Sequence, residues 1–153
     1  MALTTEELET ILRLDPVLDF CGVTAYDRIP TRVYRYPCGF VANTDPSDKK
    51  GEHWISLYFN EQRECQYLCA LGTEPYGKLH AFATANSHVV FYNKRTLQNV
   101  VGPMCGYYSA YHLLQASRGK TLEQIINAFD EADPVKNDDK VQSYLHRYVN
   151  RFS

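Results

Sequence analysis

The chain has no apolar run approaching the roughly twenty residues that a bilayer core requires. Its start, Met1-Ala2-Leu3-Thr4-Thr5-Glu6-Glu7, carries neither the basic stretch nor the apolar core of an export signal. An intracellular, non-secreted protein with no membrane contact is expected. Cys-x-x-Cys is also missing, and the five cysteines (Cys21, Cys38, Cys65, Cys69 and Cys105) are odd in number. Neither a disulfide scaffold nor a zinc site fits that pattern. The histidines at 53, 80, 88, 112 and 146 form no His-x-x-x-His, and no carboxylate stands at metal-ligand spacing. No metal and no cofactor are expected. Charge is nearly balanced, at 16 Lys and Arg against 18 Asp and Glu, so any nucleic-acid or membrane contact needs a local patch. Repeats and low-complexity tracts are absent.

What is present describes a folded protein. The 153 residues, 44% hydrophobic and 13% aromatic, suffice for one domain with a true core and are short for two. One domain over residues 1–153 is expected. Thr4 with Glu7 forms a capping box ahead of Leu8, Ile11 and Leu12, predicting a first helix that ends before Pro16. Residues 17–37 read as loop with one short strand. Gly39–Asn43, Trp54–Phe59, Glu64–Leu71 and His88–Tyr92 read as strands, with a short helix around Leu79, Phe82 and Ala83. Thr121 with Gln124 forms a second capping box before Leu122, Ile125 and Ile126. After a break at Asp133-Pro134, a last helix is predicted from about Asp138 to Arg151, with Val141, Tyr144, Leu145, Tyr148 and Val149 inward. Strands in the middle and helices at both ends argue an α+β fold with a small, mostly antiparallel central sheet.

The stretch from Leu97 to Leu114 carries the chemistry. Gly102 and Pro103 mark a turn, after which Cys105 opens a helix with Tyr107, Tyr108, Tyr111, Leu113 and Leu114 as its apolar positions. A thiol in a first helical turn faces unpaired N–H groups and the positive end of the helix dipole, which favour thiolate. A cysteine on its own in a helix is more often a small buried hydrophobe. A nucleophile needs an imidazole in reach, and His53 stands where a polar loop enters a strand, on the face shared with Ile55, Leu57 and Phe59. Gln98 stands seven residues before Cys105, a side-chain amide able to join the Cys105 N–H in holding an oxyanion.

His, then Gln, then Cys-Gly opening a buried helix, with Trp54 directly after the histidine, resembles the adenain-like cysteine proteases. These are the maturation endopeptidases of adenoviruses, related double-stranded DNA viruses and virus-like transposons. Ala25-Tyr26-Asp27-Arg28 with Pro30 is similar to the family's N-terminal Tyr-Asp segment, Val41-Ala42-Asn43-Thr44 to its strand ending in Asn-Thr, and Gly51-Glu52-His53-Trp54 to its histidine motif. Gln98, Gly102-Pro103 and Cys105-Gly106 reproduce the spacing of oxyanion glutamine and nucleophile. The resemblance implies the papain-like, ubiquitin-like-protein protease fold, a sheet packed against the cysteine's helix, with catalytic residues His53, Gln98 and Cys105. It also implies protein substrates, namely capsid or core precursors cut near small residues, in the host nucleus or virion.

Two departures qualify the resemblance. Where the family has an Asp or Glu to orient the histidine, the matching segment Tyr67-Leu68-Cys69-Ala70-Leu71-Gly72 has Cys69. A thiol lacks the charge and strong acceptor of a carboxylate. Three explanations stay open: a dyad helped by water or another acceptor such as Glu74 or Asn60, an inactive relative kept for binding, or a substitution peculiar to this sequence. A protease of ubiquitin-like modifiers shares the His, Gln and Cys-Gly elements, but that class usually has Asp where Met104 stands. The second departure is regulatory. No cysteine stands near Ser87, so a peptide activator joined through a disulfide is not expected. For DNA, Lys136, Lys140, Arg147 and Arg151 share one face of the last helix, diluted by Asp138 and Asp139. Such a strip is more often a solvated face than a nucleic-acid site. A monomer is expected.

Overall fold

The computed structural model describes residues 3–44, 53–98 and 104–151. Two expected features, the polar loop between Thr44 and His53 and the Gly102-Pro103 turn, lie outside the described residues. Helix α1 (Thr5–Leu14) opens with the predicted capping box: the Glu7 N–H donates to Thr4 Oγ1 at 3.1 Å, and the Thr4 N–H donates to Glu7 Oε1 at 3.0 Å. There follow β1 (Phe20–Ala25), a 3₁₀ turn (Tyr26–Arg28), β2 (Cys38–Asn43), β3 (Trp54–Phe59), β4 (Glu64–Leu68), α2 (Gly77–Ala85) and β5 (Val89–Tyr92). Helices α3 (Cys105–Ser117), α4 (Leu122–Asn127) and α5 (Pro134–Asn150) complete the chain.

The strands form one sheet in the order β1-β2-β3-β4-β5. It is mixed, which corrects the mostly antiparallel expectation: β2-β3 and β3-β4 are antiparallel, whereas β1-β2 and β4-β5 are parallel. The outer pairs are parallel because the chain crosses over between their strands, through residues 26–37 and through α2, and a crossover returns a strand in the same direction. The Asp133-Pro134 pair is a second correction. Rather than breaking the chain, it starts α5 four residues before the expected Asp138. Proline suits a first helical position because its missing N–H would go unpaired there anyway, and the Asp133 carboxylate caps the Lys136 N–H at 3.0 Å.

Each face of the sheet has its own core. On one side α1, α3, α4 and α5 bury Leu8, Leu12, Val41, Tyr58, Leu114, Ile125, Val141 and Leu145. On the other, α2 and the 29–37 segment cover Phe40, Ile55, Leu57, Phe59 and Phe82, with three of the phenylalanines meeting edge to face. Helix α3 is apolar nearly all round and buried over most of its length, which is why its sequence shows no polar stripe. Asp15, after α1, ties three elements on that side. Its carboxylate accepts from Arg118 at 2.6 Å, from the Tyr148 hydroxyl at 2.6 Å and from the Leu18 N–H at 2.7 Å. Burial pushes the carboxyl up, but these donors outweigh it and hold it below its ordinary value.

One buried polar contact fixes α3 over the centre of the sheet. His112 is 0% exposed; its Nδ1 lies 2.7 Å from Ser56 Oγ on β3 and its Nε2 lies 2.9 Å from Gln66 Oε1 on β4. The glutamine oxygen can only accept, so Nε2 carries the hydrogen and Nδ1 accepts from the serine hydroxyl. Gln66 Nε2 in turn donates to the Lys120 carbonyl at 3.1 Å. Burial lowers the His112 pKa to about 3, so the ring is neutral wherever the protein is folded. Because the unfolded histidine binds a proton below about pH 6.5 and the folded one does not, stability should fall as pH drops from about 6.5 toward 3. This group alone contributes at most about 1.4 kcal/mol per pH unit. Chemical denaturation of wild type and His112→Gln across that range should show the steeper acid loss in wild type; parallel curves would contradict the assignment.

Candidate active site

Trp54 begins β3, and its backbone N–H donates to Cys105 Sγ at 3.3 Å. The sulfur therefore sits against the peptide that joins His53 to Trp54. The glycine that follows the cysteine faces Leu3 and Trp54 at ordinary contact distance. A Cβ on Gly106 would lie 3.4 Å from Leu3 Cβ and 4.0 Å from Trp54 Cδ1. His53 is held from behind, because its carbonyl accepts from the Thr44 N–H at 3.0 Å just past the end of β2. The strand ending in Asn43-Thr44 thus braces the histidine.

The His53 imidazole meets the residue that departs from the family pattern. Its Nε2 lies 3.1 Å from Cys69 Sγ, a contact close enough for a hydrogen bond between ring nitrogen and sulfur. The antiparallel register explains the meeting: Ser56 opposes Leu68, so the residues before Ser56 run beside those after Leu68. His53 thereby shares the face of Ile55 and Leu57, as its position in the strand pattern predicts. Asn60, one of the acceptors considered from sequence, follows the opposite end of β3 and bonds Glu64 at 2.8 Å. Glu74 accepts from the Tyr92 hydroxyl at 3.3 Å.

Cys69 is 2% exposed and its backbone is clamped on both sides by one side chain. Asn93 Oδ1 accepts from the Cys69 N–H at 3.0 Å, and Asn93 Nδ2 donates to the Cys69 carbonyl at 2.6 Å. The amide extends the β4-β5 ladder by one rung where the backbones have parted. The next carbonyl, Ala70, accepts from the N–H groups of both Leu97 (2.7 Å) and Gln98 (3.1 Å). Gln98, 4% exposed, is thereby tied to the residue after Cys69. Its neighbour Leu97 also accepts from the Tyr108 hydroxyl of α3 at 3.3 Å and from Asn137 Nδ2 of α5 at 3.0 Å. Gly72 permits this packing: at φ +79° it takes a left-handed backbone, and a Cβ there would lie 2.9 Å from the backbone of Arg95 and Thr96. Arg95 anchors the same segment by donating to the Ile126 and Phe129 carbonyls at 2.6 and 3.1 Å.

His53, Cys69, Gln98 and Cys105 therefore gather by short links through β3, β4 and the first turns of α3. The electrostatics differ from the expectation at one point. Burial pushes the Cys105 thiol up, and the N–H groups of Trp54, Gly106 and Cys105 itself only partly offset it. Desolvation outweighs the helix terminus because the thiol is 5% exposed, so a base is needed to ionise it. Cys69 and Asn93 are the participants the sequence pattern does not supply: the first was read only as a missing carboxylate, and nothing in local sequence marks the second. Among the described residues no group of three His, Cys, Asp or Glu side chains could hold a metal ion. A cavity of about 1080 Å³ lies elsewhere, between β5 and α4, and His53, Gln98 and Cys105 do not line it.

No protein-family model and no curated protein matches the chain. Solved structures do. The ASFV pS273R protease superposes with a TM-score of 0.58 at 16% identity, covering 80% of this chain and 58% of that one. The central domain of the uncharacterized Lpg1148 protein from Legionella pneumophila gives 0.50 at 10% identity, covering 97% and 99%. The SUMO protease Ulp1 matches more distantly, with a TM-score of 0.41 at 14% identity over 74% and 53%. The chain thus spans less than two thirds of the ASFV protease. What it shares with that protease is the fold, which in this chain is a five-stranded sheet with the Cys105 helix packed across it.

Proposed function

We propose that the chain is a cysteine endopeptidase in which Cys105 is the nucleophile and His53 its general base. The observation that carries this is the joining of two contacts at one dipeptide, Cys105 Sγ on the Trp54 N–H and Cys69 Sγ on the His53 ring. Nε2 faces Cys69, and in this mechanism Nδ1 takes the Cys105 proton. The thiolate attacks the substrate carbonyl carbon, and the oxyanion is held by Gln98 Nε2 and the Cys105 N–H. The His53 imidazolium then protonates the leaving amine, and water hydrolyses the thioester with His53 again as base. Cys69 is a positioning residue. As acceptor from the Nε2 hydrogen it fixes the ring and its tautomer, a role that a carboxylate fills more strongly.

The substrates we infer are precursor proteins of a virus or virus-like element, cut near glycine or another small residue. The motif order from His53 to Cys105 and the fold shared with the ASFV pS273R protease support this. Met104, where proteases of ubiquitin-like modifiers usually carry Asp, argues against a modifier conjugate. DNA is a weaker candidate partner, because Lys140 Nζ donates to the Ala128 carbonyl at 2.7 Å and Lys136 lies 3.8 Å from Asp130, so half of the basic strip is engaged within the chain. The competing view, a protease fold retained only for binding, draws on Cys69 and on the raised Cys105 thiol.

Cleavage of a glycine-containing peptide separates the two. Cys105→Ala should abolish turnover, and Gln98→Ala should lower kcat by about 10²- to 10³-fold. Cys69→Asp should raise kcat/KM about tenfold or more and Cys69→Ala should lower it, since general-base efficiency depends on orienting the ring. No turnover in wild type and in Cys69→Asp alike would favour the binding protein.

A further inference from the structure

The contact of Cys69 with the His53 ring asks more of the backbone than a carboxylate would. A carboxylate carries charge and two acceptor oxygens, so it attracts an imidazole N–H over a range of placements. A thiol is a weak acceptor with a single sulfur and no charge to draw the ring in. Its hold on Nε2, at 3.1 Å, therefore depends on where the main chain puts Cys69 Sγ. Cys69 lies just past the end of β4 at Leu68, and the paired register with β5 stops at Tyr67 and Tyr92. A residue beyond its ladder is where a strand opens most easily.

Asn93, the residue after β5, closes that opening. It is 2% exposed and its amide is fully used. Oδ1 accepts from the Cys69 N–H at 3.0 Å, and Nδ2 donates to the Cys69 carbonyl at 2.6 Å and to the Arg95 carbonyl at 3.1 Å. The Cys69 carbonyl also accepts from the Gly72 N–H at 2.8 Å. Both peptide groups of Cys69 are thus fixed, and the clasp is anchored in turn by Arg95, whose guanidinium holds the Ile126 and Phe129 carbonyls. An amide supplies one acceptor and two donors together; an aspartate has no donor and a serine only one. At the other end of β5, Asn86 makes a similar clasp that has no link to the site. Its Oδ1 accepts from the Val33 N–H at 2.8 Å, and its Nδ2 donates to the Thr31 and Phe82 carbonyls at 3.1 and 2.8 Å.

We infer that Asn93 is a positioning residue for His53, acting through Cys69: it holds the Cys69 backbone so that a weak acceptor can still orient the ring. The inference deepens the protease reading and rests on it. Without the clasp the sulfur moves off Nε2, and the ring is free to turn or to change tautomer. A ring so released no longer presents a base to Cys105. Because burial pushes the Cys105 thiol up, that thiol then stays protonated near neutral pH. The dependence belongs to a thiol at this position, since a carboxylate at 69 would hold the ring by its charge with or without the clasp.

The test follows Cys105 alkylation by a neutral reagent on the intact chain across the neutral pH range, read by peptide mapping. Near pH 7, Asn93→Ala should slow Cys105 about ten- to a hundredfold, as a small misplacement of a catalytic group does, and should move the rise of rate with pH upward. In a Cys69→Ala background the same change should cost less than about twofold, because the link is already cut. Asn86→Ala, which removes the similar clasp, should leave the Cys105 rate and its pH dependence unchanged. Cys65, 0% exposed on β4, reports the fold in the same map by staying unreactive. Asn93→Asp keeps the shape and Oδ1 but loses both donors; it should also slow Cys105, and it replaces Asn93→Ala if that variant exposes Cys65. A folded Asn93 variant with the wild-type rate and pH profile, an equal loss in the Cys69→Ala background, or exposure of Cys65 in both variants would overturn the inference and leave Asn93 a structural residue. Those results would leave the His53 dependence of the wild-type rate intact. Equal rates in wild type and His53→Ala would instead remove the protease reading, and this inference with it.

Discussion

The position of the candidate nucleophile depends on how α3 sits on the sheet, and a buried histidine sets that. His112 bonds Ser56 and Gln66 on adjacent strands. Ser56 is three residues after His53, Gln66 three before Cys69, and Cys105 lies two helical turns, about 10 Å, before His112 on the same helix. Apolar packing by itself would tolerate a slide of α3 along the sheet, because hydrophobic attraction has no direction. Two hydrogen bonds to one neutral imidazole do not tolerate it, since a slide would leave buried donors and acceptors unpaired. The residues that hold the helix thus flank the residues that gather at its N-terminal end.

A second constraint works on the segments outside the sheet. Asn93, Ala70 and Leu97 satisfy backbone groups where β4 and β5 diverge, and in doing so they carry Cys69 and Gln98 to the same end of α3. This matters because burial works against the chemistry at Cys105. A thiol 5% exposed is protonated by default, so the activity we propose requires His53 to be placed to receive its proton, with Cys69 in contact with the ring. The helix terminus contributes, through the N–H groups of Gly106 and Cys105, without deciding the outcome.

Much of this was legible in sequence, for identifiable reasons. Thr4 and Thr121, with Glu7 and Gln124, announce helix starts because the capping box is wholly local, and both form. Strand β3 has the predicted bounds because it is a short run of β-formers, apolar on both faces of a covered sheet. What could not be read depends on partners distant in the chain. The direction of β1 and β5 turned on crossovers, whereas the start of α5 at Pro134 rests on the neighbouring Asp133 cap and is itself a local signal. The candidate site divides in the same way. Cys105, Gln98 and His53 stand out by spacing, but the balance of burial against helix terminus at Cys105 and the contact of Cys69 with the ring exist only in three dimensions.

The central claim is that His53 activates a buried Cys105, and the rate at which Cys105 alone is alkylated tests it without knowledge of the substrate. With a neutral alkylating reagent at pH 7, Cys105 modification followed by peptide mapping should be about a hundredfold faster in wild type than in His53→Ala, within the range that a positioned base supplies. Equal rates in the two proteins would contradict the account.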